Sequence, residues 1–290
     1  MYLVREENFK DIFYACRAWL LDAKVENIKG TKTKEILNAC VCLTNPRSRF
    51  IYHPKRKFNV AFNIAEMLSH ISGINSTSYF GFWNSNYTQF SDNGLNFYGN
   101  YGERLKNYFP ALVTKLKNNS QTRQAVLNIY CSNDMLTNTK DVPCTLALDF
   151  KIRKNKLNLT TFMRSNDLIW GLMYDLPAFT MIQEIVANSV GAELGVYTHF
   201  ATSLHVYERH WELLKNMTDA KIVEMPRITD NYLDVLVSAK EAEKMTNNRY
   251  YFSERIDDIL LSALIYYKMK KLKFDAGQIS FPAYVTKLYN

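Results

Sequence analysis

The sequence predicts an α+β domain, with helices packed on one mainly antiparallel or mixed sheet. Helix-patterned stretches stand before, between and after a cluster of strand-patterned ones. No repeat, low-complexity tract or Pro/Gly/Ser-rich linker divides the 290 residues, so a single domain over residues 1–290 is expected. At 47% hydrophobic and 22% charged, with 10 Gly and 7 Pro, the chain can bury a sizeable core.

Taken in order, residues 8–23 place Phe9, Ile12, Phe13, Cys16, Trp19 and Leu20 at helical spacing, and residues 60–71 repeat that pattern with Phe62, Ile64, Ala65, Met67 and Leu68. The stretches 36–43, 124–130, 145–152 and 157–163 are short, alternating or β-branched, and lie near Asn, Asp or Lys-Asn turn signals, which predicts strands. A largely apolar helix over 177–189, a strand over 199–206 and a helix over 208–216 follow. Residues 239–245 and 256–268 read as helices, the second with Lys in its last turn, and residues 215–290 as a helical extension of the same domain.

Thirty-six Lys+Arg against 28 Asp+Glu give a net charge of +8, scattered apart from short clusters such as Lys55-Arg56-Lys57. That favours anionic partners in general but is too diffuse for nucleic-acid binding. The residues from Met1 to Lys10 lack an apolar signal core, and no run is long and apolar enough to span a bilayer, so no membrane association is expected. Five Cys at 16, 40, 42, 131 and 144 have neither zinc spacing nor a disulfide pattern, which points to a reducing, cytoplasmic setting and no metal.

Several groups could carry chemistry. Cys144, after a Pro in Asp141-Val142-Pro143-Cys144-Thr145, is either a nucleophile or an inert buried thiol. Arg164-Ser165-Asn166-Asp167 ends an apolar strand with a fork-shaped cation, a hydroxyl and a carboxylate, which suits a phosphate or an ordinary strand-end ion pair. His205, Tyr207 and His210 could act as ligands or acid/base groups. Glu66 stands among apolar neighbours, where a carboxylate is costly unless used or paired. Phe80, Phe82 and Trp83 are most simply core, and Asn100-Tyr101-Gly102 most simply a turn.

Taken together and in order, Ala65-Glu66-Met67-Leu68, Asn100-Tyr101-Gly102, Thr122-Arg123-Gln124, Pro143-Cys144-Thr145, Arg164-Ser165-Asn166-Asp167 and Leu204-His205-Val206-Tyr207 resemble the thymidylate synthase family over roughly residues 30–215. The details resemble most closely its deoxycytidylate hydroxymethylase branch. Thr145 stands where the synthases carry His, and Ser203-Leu204-His205-Val206-Tyr207 departs from the synthases' sugar-site segment. Eight residues after Asp167, where synthases place an Asn against the uracil edge, stands Asp175.

That resemblance implies a thymidylate synthase-like fold and a folate-dependent enzyme. It would convert dCMP, methylenetetrahydrofolate and water to 5-hydroxymethyl-dCMP and tetrahydrofolate through a Cys144 thiolate adduct. The alternatives are a CMP hydroxymethylase, a thymidylate synthase-type methylase and, least favoured, a non-catalytic nucleotide- or RNA-binding homologue. The resemblance assigns Glu66 and Tyr101 to proton and water handling near the thiol, and Arg123, Arg164 and Ser165 to phosphate. His205 and Tyr207 fall to the sugar 3′-hydroxyl, and Asp167 and Trp83 to the pterin. It also implies a homodimer in which Arg123 is lent across the interface. Gln124 and Ile28 stand where synthases carry further arginines, with Lys29 as a substitute cation. Asp175 matches cytosine chemically: the ring nitrogen accepts and the amine donates, which a carboxyl meets by sharing one proton with the ring.

Overall fold

The computed structural model describes residues 2–28, 30–274 and 279–289. Its strands are β1 Tyr2–Glu6, β2 Val25–Ile28, β3 Thr31–Leu43, β4 Phe50–Tyr52, β5 Val126–Asn128, β6 Thr145–Arg153, β7 Lys156–Met163, β8 Asn166–Asp167, β9 Glu193–Tyr207 and β10 Lys221–Val223. Its helices are α1 Phe9–Asp22, α2 Val60–Ser72, α3 Thr77–Trp83, α4 Tyr101–Leu105, α5 Phe109–Asn118, α6 Met173–Val190, α7 Trp211–Asn216, α8 Tyr232–Asn247, α9 Ile259–Leu272 and α10 Ala283–Tyr289. The main sheet runs β1-β3-β9-β7-β6-β5, with β2 added to β3 and β8 to β9. It is mixed: β1 on β3, and β7 and β8 on β9, are parallel, and the other pairs are antiparallel. This is the expected α+β architecture.

The spine of the sheet is the long antiparallel pair β3 and β9, whose register sets Leu43 opposite Tyr197 and Thr33 opposite Tyr207. Because side chains alternate faces along a strand, His205 and Tyr207 emerge on one side together. Helix α6 is buried along nearly its whole length, and its apolar surface all round suits a helix packed between sheet and outer helices. Helix α2 packs across it, capped by Asn59, whose Oδ1 accepts the Phe62 N–H at 3.0 Å, and ended by Gly73 at φ 84°.

Helix α6 starts at Met173, four residues before Pro177, where sequence reading puts its start. A π-turn over Leu168–Leu172 leads into it, so the proline falls inside and removes only the bond its N–H would give Met173. The consequence is that Asp175 lies in a helical first turn and not in a loop. Strand β5 is shorter than the pattern over 124–130 suggested. The charged segment after 216 is more helical than expected, since α8 and α9 both pack on α2. Lys268 does not end in solvent: its buried ammonium donates to the carbonyls of Met245, Asn248 and Tyr251 at 2.6–2.7 Å and so closes the C-terminal end of α8. Tyr289 ties α10 to the start of α2, its hydroxyl accepting the Ala61 N–H at 2.8 Å. No helix is long and apolar enough to cross a membrane among the described residues.

Candidate active site

Cys144 is placed by the strand that follows it. The register of β6 against β7 shifts between Thr145 and Ala147, and such an irregularity re-aims the adjacent side chain. Arg164 holds the approach to the thiol: Nε donates to the Pro143 carbonyl at 2.8 Å, Nη2 to the Val142 carbonyl at 2.9 Å, and its backbone N–H to the Cys144 carbonyl at 2.9 Å. The Tyr101 hydroxyl accepts the Thr145 N–H at 3.2 Å, leaving its own proton free to donate.

Glu66 reaches the same space from α2. Helix α4 approaches α2 so closely that a Cβ on Gly102 would lie 1.9 Å from the Ser69 carbonyl oxygen, which is why glycine follows Asn100-Tyr101. From α6 comes Asp175, from the end of β8 Asp167, and from β9 His205 and Tyr207. These side chains, with Cys144, Glu66, Tyr101 and Ser165, line one cavity of about 380 Å³. The structure thus brings eight of the sequence-predicted site residues together, and Arg164 stands behind the wall.

Two are not brought there. Trp83 is fully buried, packed on Tyr79, Phe82 and Tyr267, and the expectation of a pterin contact gives way to a core role. The indole at the cavity is Trp170, half exposed, with the Arg56 guanidinium 4.1 Å over its ring. Arg123 lies on an exposed turn near Arg153 and Lys154, away from the cavity of its own chain. Gln124 and Ile28 are also exposed, and Lys29 lies outside the described residues.

Sequence reading passed over Asp141, His70, Lys140 and Arg209, which all line the cavity. Asp141 Oδ2 accepts the Gly99 N–H at 2.8 Å. His70 shares a helix face with Glu66, four residues on, and stacks on Tyr101 at 4.9 Å. That spacing was legible; the placement of Asp141 depends on the loop and was not.

The electrostatics are those of a desolvated acidic pocket. Burial, reinforced by the nearby carboxyls of Asp175 and Asp141, pushes Glu66 up to about 8. Burial pushes Asp175 up to about 7, against the Asn166 amide, which favours the anion. Burial raises the Cys144 thiol too, opposed by the Arg164 charge and reinforced by Asp175 and Asp141. His205 is lowered by burial, against Asp167 and Glu35.

Raised acids are held protonated by the fold, so their contribution to stability is complete below the ordinary carboxyl range. It is lost as pH climbs through about 7 for Asp175 and about 8 for Glu66. Glu66→Gln is therefore expected to melt higher than the parent chain at pH 8.5, by on the order of 1–2 kcal/mol, and to show no gain at pH 4. Thermal unfolding across that range checks it.

One acceptor stands ready for a ligand. Asp167, which lines the cavity, takes the N–H groups of Ile169 and Trp170 on Oδ1, at 2.7 and 2.5 Å, while buried Oδ2 has no partner among the described residues. A ring N–H of a pterin is the kind of donor that would satisfy it.

Comparison with known proteins bears on the family. A deoxyuridylate hydroxymethyltransferase of Bacillus phage SP01 is 36% identical over 197 residues, 62% of this chain and 51% of the relative. Its namesake from Pseudomonas phage M6 is 35% identical over 172 residues, 56% of this chain and 49% of the relative. The chain thus spans about half the length of these phage relatives. A Methanosarcina mazei protein provisionally named a thymidylate synthase is 26% identical over 223 residues, 74% of this chain and 94% of its own length. The thymidylate synthase family profile matches residues 19–260, and the chain belongs to the thymidylate synthase family.

Proposed function

We propose that this chain is a folate-dependent one-carbon transferase that hydroxymethylates position 5 of a cytosine nucleotide, with dCMP as the preferred substrate and CMP as the alternative. The observation that carries the reading is Asp175, a buried carboxyl raised to about 7, on the wall of the cavity that holds Cys144. A carboxyl that shares its proton at neutral pH donates to a ring nitrogen and accepts from an exocyclic amine, the pattern cytosine needs. Sharing that proton also draws electron density from the ring and opens position 6 to a thiolate.

In this mechanism the Cys144 sulfur bonds to position 6 as its proton passes to a cavity carboxylate. Position 5 becomes nucleophilic. Bound methylenetetrahydrofolate supplies a carbon at the oxidation level of formaldehyde, so completing a hydroxymethyl group needs water and no change of redox state. Glu66, with its raised pKa, suits a carboxyl that, once ionised, takes the position-5 proton, gives it to the departing tetrahydrofolate nitrogen, and then accepts a proton from the attacking water. Expulsion of the Cys144 thiolate restores the ring. Tyr101 has a free donor beside the thiol, His205 and Tyr207 suit a sugar hydroxyl, and Ser165, on the cavity wall, suits the phosphate, with the Arg164 charge behind it. Asp167, through its unpartnered oxygen, and Trp170, through its open face, suit the pterin.

A second reading is the same chemistry on dUMP. The names of the phage relatives favour it, and a neutral carboxyl can also present a donor and an acceptor to uracil. The assay is direct: dCMP, CMP and dUMP are each incubated with methylenetetrahydrofolate and weighed by mass spectrometry. A CH2O increment on dCMP is expected. Preferential conversion of dUMP overturns the cytosine reading, and dihydrofolate absorbance would identify a methylase.

The position of Arg123 on an exposed basic turn supports its being lent to a second copy's phosphate site. Neither Arg123→Ala nor Cys144→Ala should turn over alone. Their mixture, after subunit exchange, should regain about a quarter of wild-type activity, the share expected of one intact site in half of the dimers. An inactive mixture with confirmed exchange would count against it.

A further inference from the structure

Helix α2 brings a second polar side chain to the cavity, one turn beyond Glu66, and the chemistry proposed above does not use it. His70 lines the same cavity as Glu66 and is 7% exposed. Residues four apart on a helix are neighbours on one face, so the imidazole and the Glu66 carboxyl stand side by side. Two aromatic rings set the plane of the imidazole. Tyr101 lies 4.9 Å from it at 26° and Phe179 6.2 Å from it at 21°, and those two rings are themselves within 5° of parallel.

Nδ1 of His70 is fully buried and has no partner among the described residues, which leaves Nε2 as the nitrogen that can meet a bound molecule. Burial keeps the ring neutral, with its pKa lowered to about 3, so at neutral pH it carries one proton and one free lone pair. Packing alone does not call for a histidine at this position. A phenyl ring would stack on Tyr101 and Phe179 as well, and would bury no unsatisfied nitrogen.

The hydroxymethyl reading requires a water to wait beside Glu66, and a water in a desolvated cavity needs at least two polar partners. Glu66 is one. We infer that His70 Nε2 is the other, so that Glu66 and His70 together seat the water that becomes the new hydroxyl group. Either tautomer serves: as N–H, Nε2 donates to the water oxygen, and as a bare nitrogen it accepts one of the water protons. The water gives a proton to the Glu66 carboxylate while its oxygen bonds to the exocyclic methylene left on position 5 when tetrahydrofolate departs. The displaced electron pair re-forms the ring double bond between positions 5 and 6 as the Cys144 thiolate leaves. Nothing is oxidised or reduced. The inference rests on the hydroxymethyl reading, and it holds whichever base is bound.

Water and an added thiol compete for that methylene after the position-5 proton has gone, so the ratio of their products reports the water step alone. Nucleotide and methylenetetrahydrofolate are incubated with a fixed concentration of 2-mercaptoethanol, and the thioether and hydroxymethyl products are quantified by mass spectrometry. His70→Phe fills the space of the imidazole and so opens no extra path for the thiol. It should raise the thioether-to-hydroxymethyl ratio by about tenfold or more. His70→Gln, whose amide reaches the place of Nε2, should bring the ratio most of the way back, whereas His70→Asn, whose amide stops at the place of Nδ1, should not. An unchanged ratio in folded His70→Phe overturns the inference, because a merely structural histidine would slow both products together. Should that variant not fold, His70→Asn decides, and the parent ratio there overturns the inference. A wild type that yields methylated nucleotide and dihydrofolate has no water step, and it overturns the hydroxymethyl reading and this inference with it. Hydroxymethyl product from wild type with an unmoved ratio in the variants overturns the inference alone.

Discussion

Cys144→Ala is expected to abolish release of tritium from position 5 of labelled nucleotide, a loss of about 10⁴-fold or more, while nucleotide binding persists. The expectation follows from how the thiol is held. It is carried at the start of β6 by a register irregularity, its loop is fastened by three bonds from Arg164, and it faces Asp175 and Glu66 across one cavity. A merely structural cysteine needs none of these. The free protein holds the thiol protonated, since burial and the neighbouring carboxyls outweigh the Arg164 charge. Iodoacetamide should therefore modify exposed Cys131 well before Cys144, and the rate at Cys144 should still be climbing above pH 9. Unchanged tritium release in Cys144→Ala would remove the nucleophile from the mechanism.

Much of this site was legible because it rests on residues whose types are constrained one by one. Glu66 stands out as a carboxylate in an apolar helix, and Arg164 to Asp167 as polar residues closing an apolar strand. The order of six motifs supplied the rest, including Asp175, which periodicity alone would have left in a loop ahead of Pro177. What was illegible depends on tertiary approach. The residues themselves read Trp83 as core and only the resemblance assigned it to the pterin; the core reading holds, and the indole beside the cavity, Trp170, lies in an irregular π-turn that no periodicity announces. Asp141 reads as an ordinary loop acid until the Gly99 N–H draws it to the cavity. His199 reads as one more alternating residue of β9. Its contact with Asn166, thirty-three residues away in sequence and 3.2 Å away in space, is made only by the fold. The short strands β1, β2, β4 and β10 escaped because a few residues of extended chain carry too little pattern, whereas β3 and β9 were read only in part, over 36–43 and 199–206.

Asp175→Asn is expected to lower kcat with dCMP by roughly 10²–10³-fold, because an amide can still hydrogen-bond the cytosine edge but has no proton to share with the ring. Wild-type kcat/KM for dCMP should fall as pH rises through about 7, where Asp175 loses its proton, and that limb should vanish in the variant. The change in selectivity is subtler. Uracil needs an N–H aimed at its carbonyl and an oxygen aimed at its ring N–H. In the new side chain, that arrangement points the amide nitrogen at the Asn166 N–H group, donor against donor. The single variant should consequently move the dCMP-to-dUMP ratio toward dUMP by only about tenfold, the cost of one mismatched buried group. Kinetics of wild type and Asp175→Asn with both nucleotides measures that shift directly. A complete switch to dUMP in Asp175→Asn alone would show that the amide at 166 never constrained the base edge at all.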